Sequence, residues 1–294
     1  MRAAVVLAYL ACSTIWGTTY FAIRVSIEPG GYATYTAGAL RFVLAALLVA
    51  GIVVVGKIGP RPRSWAQVGW ICASGFANFV AYALLYHAEE VIPGALACVL
   101  YGTLPLMTAV LMAATGPERA SFPQVAGSLV SLGGVILLFH DRLEVSTKQA
   151  VGVVTVMVAV CCASLSNLIL KRKSQGVHPF AQNVWYLGTI ALGMLILALG
   201  AHGGMPVPPP LGPSLAILYL AVVGSIVAFG AFFYLLQNVR LMTASSTVLL
   251  QPIIALFVDG LWEKDHLPAS SFLGVAVTVA GLAVSLFWPS RPRP

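Results

Sequence analysis

The chemistry-bearing residues of this sequence are polar and aromatic side chains set inside long apolar runs. They are Trp16, Thr19 and Tyr20; Asn78, Tyr82 and Tyr86; Tyr101; Ser164, Ser166 and Asn167; Trp185 and Tyr186; Phe229, Phe233 and Tyr234; then Ser245, Ser246, Thr247 and Gln251. Asn78 and Tyr82 are one helical turn apart and share a face. A polar group without a partner is costly where water is absent, so such residues turn toward other helices or a wet cavity. Gathered around one space, they make a mostly apolar, aromatic lining with uncharged hydrogen-bonding groups. Such a lining suits a medium-sized amphipathic molecule with a ring and a polar head. The competing roles are helix–helix contact and an interfacial aromatic belt, the expected place of Tyr86, Tyr186 and Tyr234 near run ends. The expected ligand-contacting group is Trp16, Asn78, Tyr82, Tyr101, Asn167, Trp185, Phe229, Ser245 and Gln251.

Catalysis has little to stand on. Gly51 to Ile58 approximates a phosphate-binding loop, but Ile58 stands where a magnesium-binding Ser or Thr is required. There is no HExxH, no pair of Asp-rich motifs and no Gly-x-Ser-x-Gly elbow. Cys12, Cys72, Cys98, Cys161 and Cys162 all fall in apolar runs, without metal-type spacing, and are expected to be packing residues. No cofactor and no metal is expected. Arg41 is the one base well inside a run. It is expected to snorkel or to cap carbonyls of a broken neighbour, with an ion or substrate role as the alternative. Asp259 nears the end of its run. His87, Glu89 and Glu90 cluster at the end of another, where solvated rim charges are expected and proton sensing is the alternative. With no acid deep in a run, coupling to protons through a buried carboxyl is not expected.

These residues need a membrane to hold them. Charged residues are 9% of the 294-residue chain, against about 25% in a soluble domain. Apolar residues are 59%. Ten spanning helices would take about 200 residues, which leaves only short loops and no separate soluble domain. The spans fall near 3–23, 32–55, 65–87, 92–114, 122–140, 149–170, 181–201, 213–236, 244–262 and 269–288. The fourth and ninth look shortest. Strands are excluded, because the runs are too long and lack alternation. With the N-terminus inside, eleven Lys or Arg fall in cytoplasmic segments and four in outer ones, with Arg41 left in a span. Both termini are therefore placed in the cytoplasm. The net charge of +7 then follows from topology and anionic lipid, and no nucleic-acid partner is needed.

The chain also repeats. Pro105 and Pro252 lie 147 residues apart, each interrupting an apolar run. Each is followed by an acidic–basic pair, Glu118–Arg119 and Glu263–Lys264. Then comes a Gly-patterned run in which Gly127 matches Gly274 and Gly134 matches Gly281 at the same offset. Five spans per copy is an odd number, so the second copy enters the membrane from the opposite side. The fold class is therefore all-α integral membrane: ten helices as two inverted five-helix repeats, 1–143 and 144–294, around a central cavity. The join lies near Asp141–Glu144, and Met205 to Pro213 is a stiff Pro-rich outer loop. Pro105 and Pro252 free carbonyls in mid-helix and mark the bending, gating parts.

On these residues the chain resembles the drug/metabolite transporter superfamily, specifically its EamA-type ten-helix permeases. The resemblance is carried by Trp16-Gly17, by Leu40-Arg41-Phe42, and by the stretches Pro105 to Glu118 and Pro252 to Glu263, each running into a Gly-x6-Gly helix. A departure is that the family's usual Gly before the acidic residue is here Pro117 and Trp262. The resemblance implies a two-repeat basket in a bacterial inner membrane. It implies export of small metabolites through a cavity lined by the first, third, fourth, sixth, eighth and ninth helices. The aromatic lining is similar to that of members that export aromatic amino acids and related toxic compounds, so the expected partners are a small-molecule substrate, an amino acid first, and the lipid bilayer. A monomer is compatible with the sequence. Phosphorylated substrates need cationic pockets, and here only Arg41 could contribute. The alternatives are a broad-specificity drug carrier, a nucleoside- or sugar-type carrier, and a membrane enzyme acting on a lipid-like substrate. A scaffold without a cavity is the structural alternative.

Overall fold

The computed structural model describes residues 3–92, 94–116, 119–138, 147–201, 210–263 and 269–287. Asp141–Glu144, Glu118, Pro117 and Lys264 lie outside them, as do the side chains of Asp259, Trp262 and Glu263. The described residues form helices and connecting turns. In the first half these are α1 (Ala3–Ile27), α2 (Thr34–Val55), α3 (Trp65–Ala88), α4 (Gly94–Tyr101), α5 (Leu104–Thr115) and α6 (Phe122–Leu138). In the second half they are α7 (Thr147–Lys173), α8 (Pro179–Gly200), α9 (Leu211–Ala221), α10 (Ala228–Asn238), α11 (Leu241–Ser245), α12 (Gln251–Glu263) and α13 (Ala269–Phe287). Among the described residues, eight helical segments are long and apolar enough to cross a bilayer, and two shorter apolar ones are Phe122–Leu138 and Phe272–Phe287. Among the described residues these two are thus the shortest of the expected ten, not the proline-bearing fourth and ninth. Apolar side chains cover much of the outside, as a lipid-facing surface requires: Leu7, Leu47, Val55, Leu199 and Phe287 are all exposed.

Pro105 and Pro252 do not kink continuous helices. Each is the second residue of a helix that restarts after a break: α4 stops at Tyr101 before α5, and α11 passes through a 3-10 turn, Ser246–Leu249, before α12. Proline's missing N–H costs nothing in a first helical turn, so the expectation of freed mid-helix carbonyls is corrected. Pro213 belongs to the first turn of α9, not to an outer loop.

A break that the sequence did not signal interrupts the eighth span. Val222–Val227 is a π-helical segment between α9 and α10. Its wider turn leaves carbonyls without their usual partners. The Trp16 Nε1–H donates to the Gly224 carbonyl at 3.2 Å, and Asn183 Nδ2 donates to Ile226 at 3.1 Å. The Ser225 hydroxyl donates back to the Leu220 carbonyl at 2.9 Å.

The packing pairs off. α3 lies on α7, and α10 lies on α1; α2 lies on α8, and α6 on α13. The α6–α13 pair is the closest. A Cβ on Gly127 would fall 2.5 Å from the Ser285 nitrogen, and one on Gly274 would fall 2.7 Å from the Leu138 nitrogen. Only glycine allows backbones this near.

Candidate functional site

Helices α1, α3, α4, α5, α7, α8, α10, α11 and α12, with the 3-10 turn, close around one cavity of about 680 Å³, its open mouth included. Trp16, Asn78, Tyr82, Tyr101, Asn167, Phe229, Ser245 and Gln251 all line it. Eight of the nine expected contact residues are therefore brought together. Trp185 is not. It is 38% exposed and stands edge-on to Trp65, with ring centroids 6.3 Å apart, beside a different recess near Arg61 and Arg63.

The aromatic wall is continuous. The Trp16 ring meets Phe229 at 5.4 Å and Phe232 at 5.1 Å. Phe229 meets Tyr186 at 5.2 Å and Tyr82 at 6.3 Å, and Tyr82 meets Phe42 at 4.8 Å. Tyr20 faces Tyr101 across 6.4 Å. Edge-to-face arrangements at these spacings are favourable and leave ring faces for a ligand.

The polar groups are of two kinds. Some are used up in holding helices together. Ser74 and Ser166 hydroxyls lie 2.8 Å apart, Ser166 and the Tyr186 hydroxyl 3.2 Å, Thr108 and Ser245 hydroxyls 3.3 Å, and Tyr9 and Ser246 hydroxyls 3.0 Å. Others point into the space. Asn78, Asn167 and Gln251 are buried, yet among the described residues their side-chain amides make no protein hydrogen bond. Amides so placed can donate and accept to a ligand's polar head.

Tyr86 and Tyr186 are wholly buried, so the belt expected for them is corrected. Tyr186 joins the cavity wall, and Tyr86 lies under Arg41. Phe232, Tyr20, Thr19 and Thr247 also line the cavity. Thr19, Tyr20 and Thr247 carried the polar-in-apolar signal; Phe232, one of several phenylalanines on α10, carried none that set it apart.

Arg41 is fully buried. Its Nε donates to the Ser225 hydroxyl at 3.1 Å, and one Nη reaches the Gly224 carbonyl at 3.5 Å. Its guanidinium lies 4.7 Å from the Phe42 ring centre and 5.1 Å from that of Tyr82. It caps a broken neighbour, here the π segment, and the cation is stabilised by ring faces. Gly17 sits where α1 crosses α12: a Cβ there would meet Ile254 at 2.7 Å and the Gln251 carbonyl at 3.0 Å. Among the described residues no group of His, Cys, Asp and Glu has a metal-binding arrangement.

Comparison with known proteins agrees with this architecture. The model of the EamA-like transporter family matches residues 3–140 and again 150–287. The uncharacterized transporter YdfC of Bacillus subtilis is 24% identical over 91% of this chain and 86% of its own. A probable terminal-alkyne amino-acid exporter of Streptantibioticus cattleyicolor is 25% identical over 91% of this chain and 88% of its own. The uncharacterized inner membrane transporter YedA of Escherichia coli is 25% identical over 97% and 92%. A solved crystal structure superposes with a TM-score of 0.76 over 97% of each chain, at 16% identity, a likeness of fold.

Proposed function

The chain belongs to the EamA-like transporter family, and on that premise we propose that it exports aromatic or amphipathic amino acids and related toxic compounds by alternating access. Its ten apolar segments cross a bacterial inner membrane as two inverted sets of five, with both termini in the cytoplasm. The excess of Lys and Arg in the segments then facing inward supports this orientation.

The observation that carries the reading is the cavity's lining. Unpaired amides of Asn78, Asn167 and Gln251 share the cavity with the ring wall of Trp16, Tyr82 and Phe229. A substrate ring packs among those rings, and its polar head takes the amides. The breaks before α5 and α12 give two short half-helices that can shift against α1 and α7 while the long helices keep their pairing. The relative named a probable terminal-alkyne amino-acid exporter supports the substrate class.

Counterflow in liposomes against a panel of amino acids, sugars, nucleosides and quaternary amines tests this. Exchange of phenylalanine or tryptophan is expected. Exchange confined to sugars, nucleosides or amines would replace the substrate class, and none with any compound would remove the carrier reading.

A further inference from the structure

Glu89 caps the C-terminal end of α3, one turn beyond the cavity residue Leu85. Its neighbours His87 and Glu90 are the expected solvated rim: both are exposed, with Nδ1 and Oε2 3.4 Å apart. Glu89 is not. Both of its carboxylate oxygens are shut from solvent, and neither has a hydrogen-bond partner among the described residues. Arg24 and Tyr20 of α1, Arg41 of α2, Tyr86 of α3 and Tyr101 of α4 surround the carboxyl closely enough to interact with its charge. Of these, one Nη of Arg41 and the Tyr86 hydroxyl are likewise buried without a partner. Donors and acceptors that match in kind thus stand within reach of one another's charge. Tyr20 and Tyr101 meanwhile tie the carboxyl to the cavity, which both line.

A carboxylate enclosed without hydrogen bonds is costly, and the group takes up a proton instead. Burial pushes the Glu89 carboxyl up to about 8, against the opposing charges of Arg41 and Arg24. We propose that Glu89 is the proton-binding residue of the transport cycle and that the protein exchanges substrate for protons. The proposal rests on the carrier reading above. With the carboxyl enclosed, as here, Glu89 holds a proton. With the α3 end open, the carboxylate is hydrated and free to bind Arg41 and Tyr86. One O–H bond forms with a proton from the outer water, and the same bond breaks toward the cavity once the opposite end opens. One proton enters for each substrate that leaves.

Two measurements on the full-length protein test this. Infrared titration of the purified protein reads protonated carboxyl directly and needs no substrate. A band that persists at neutral pH, fades near pH 8 and is missing in Glu89→Gln is expected; its absence from the wild type, or its survival in Glu89→Gln, overturns the proposal. Phenylalanine flux in liposomes is the second. A gradient of one pH unit supports about tenfold accumulation at one proton per substrate. Glu89→Gln mimics the protonated acid, so it is expected to keep phenylalanine exchange and lose that accumulation, while Glu90→Gln keeps both. Exchange that ignores the gradient in the wild type, or accumulation that survives in Glu89→Gln, overturns it. Failure of the wild type to exchange phenylalanine counts against the carrier reading, and the infrared result still decides the proton site.

Discussion

The Ser131 hydroxyl donates to the Thr278 carbonyl at 2.9 Å, and the Thr278 hydroxyl reaches back to the Ser131 carbonyl at 3.4 Å. The two residues are 147 positions apart, the offset that also separates Pro105 from Pro252. Equivalent positions of the two halves therefore touch each other reciprocally, as residues on a twofold axis do. The glycines around them agree: Gly127 faces Gly281, and Gly134 faces Gly274, so α6 and α13 run antiparallel.

This crossing has no slack. A Cβ on Gly134 would strike the Thr278 backbone, and one on Gly281 the Ser131 backbone, neither of which can swing aside as a side chain would. Gly134→Ala and Gly281→Ala are each expected to cost about 1–3 kcal/mol or more, read as a lowered melting temperature in detergent. Gly133, one residue away, has nothing within 4 Å of its Cβ position. Gly133→Ala is expected to leave the melting temperature unchanged or slightly raised.

Tyr82 lies between the cavity and Arg41, with Phe42 and Phe229 on its flanks. Tyr82→Ala is expected to cut amino-acid efflux about fivefold or more, by removing a ring face worth roughly 1 kcal/mol or more to a stacked substrate, with unchanged expression. Trp185→Ala, on the same footing in the sequence but outside the cavity, is expected to leave flux within about twofold. Unchanged flux in Tyr82→Ala would remove that ring from the substrate path.

The contrast between Trp185 and its neighbour Tyr186 shows what the sequence could carry. Polar and aromatic residues inside apolar runs stand out because lipid excludes them, so the positions along each span and most of the cavity lining were legible. The direction each faces was not. Adjacent helical residues point about 100° apart, and only packing decided that Tyr186 turns inward and Trp185 away. Helix breaks were legible as prolines, but proline marks a first turn as well as a kink, and the π segment carries no proline at all. What it serves lies in a neighbour: the buried Arg41 of α2 donates to its Ser225 hydroxyl and Gly224 carbonyl. Glu89 looked like a rim charge because sequence distance from the span end does not say which way a capping residue turns.

The pH dependence of stability follows from Glu89. Its carboxyl in the folded protein titrates above its ordinary value of 4.5, near 8, chiefly because it is buried. Between those values the folded chain holds a proton that the unfolded chain has lost. The contribution is therefore fully present below pH 4.5 and drains away as pH rises to about 8. The melting temperature is expected to fall across this window in the wild type and to fall less in Glu89→Gln. Equal slopes for the two proteins would place the titrating group elsewhere.

Arg41 closes the π segment with a donor set that lysine lacks. Its Nε and one Nη serve Ser225 and Gly224 together, while its flat face lies against Phe42 and Tyr82. A lysine brings one ammonium, which can reach one acceptor and stacks poorly. Arg41→Lys is expected to cost about 1–3 kcal/mol through the unmade bonds left in the interior. Arg41→Gln removes the cation as well and leaves the Glu89 carboxyl without the larger of the two charges favouring its ionised form. Its protonated-carboxyl band is expected to persist to higher pH than in the wild type, which infrared titration would show. A shift to lower pH would mean that Arg41 and Glu89 do not share one electrostatic environment.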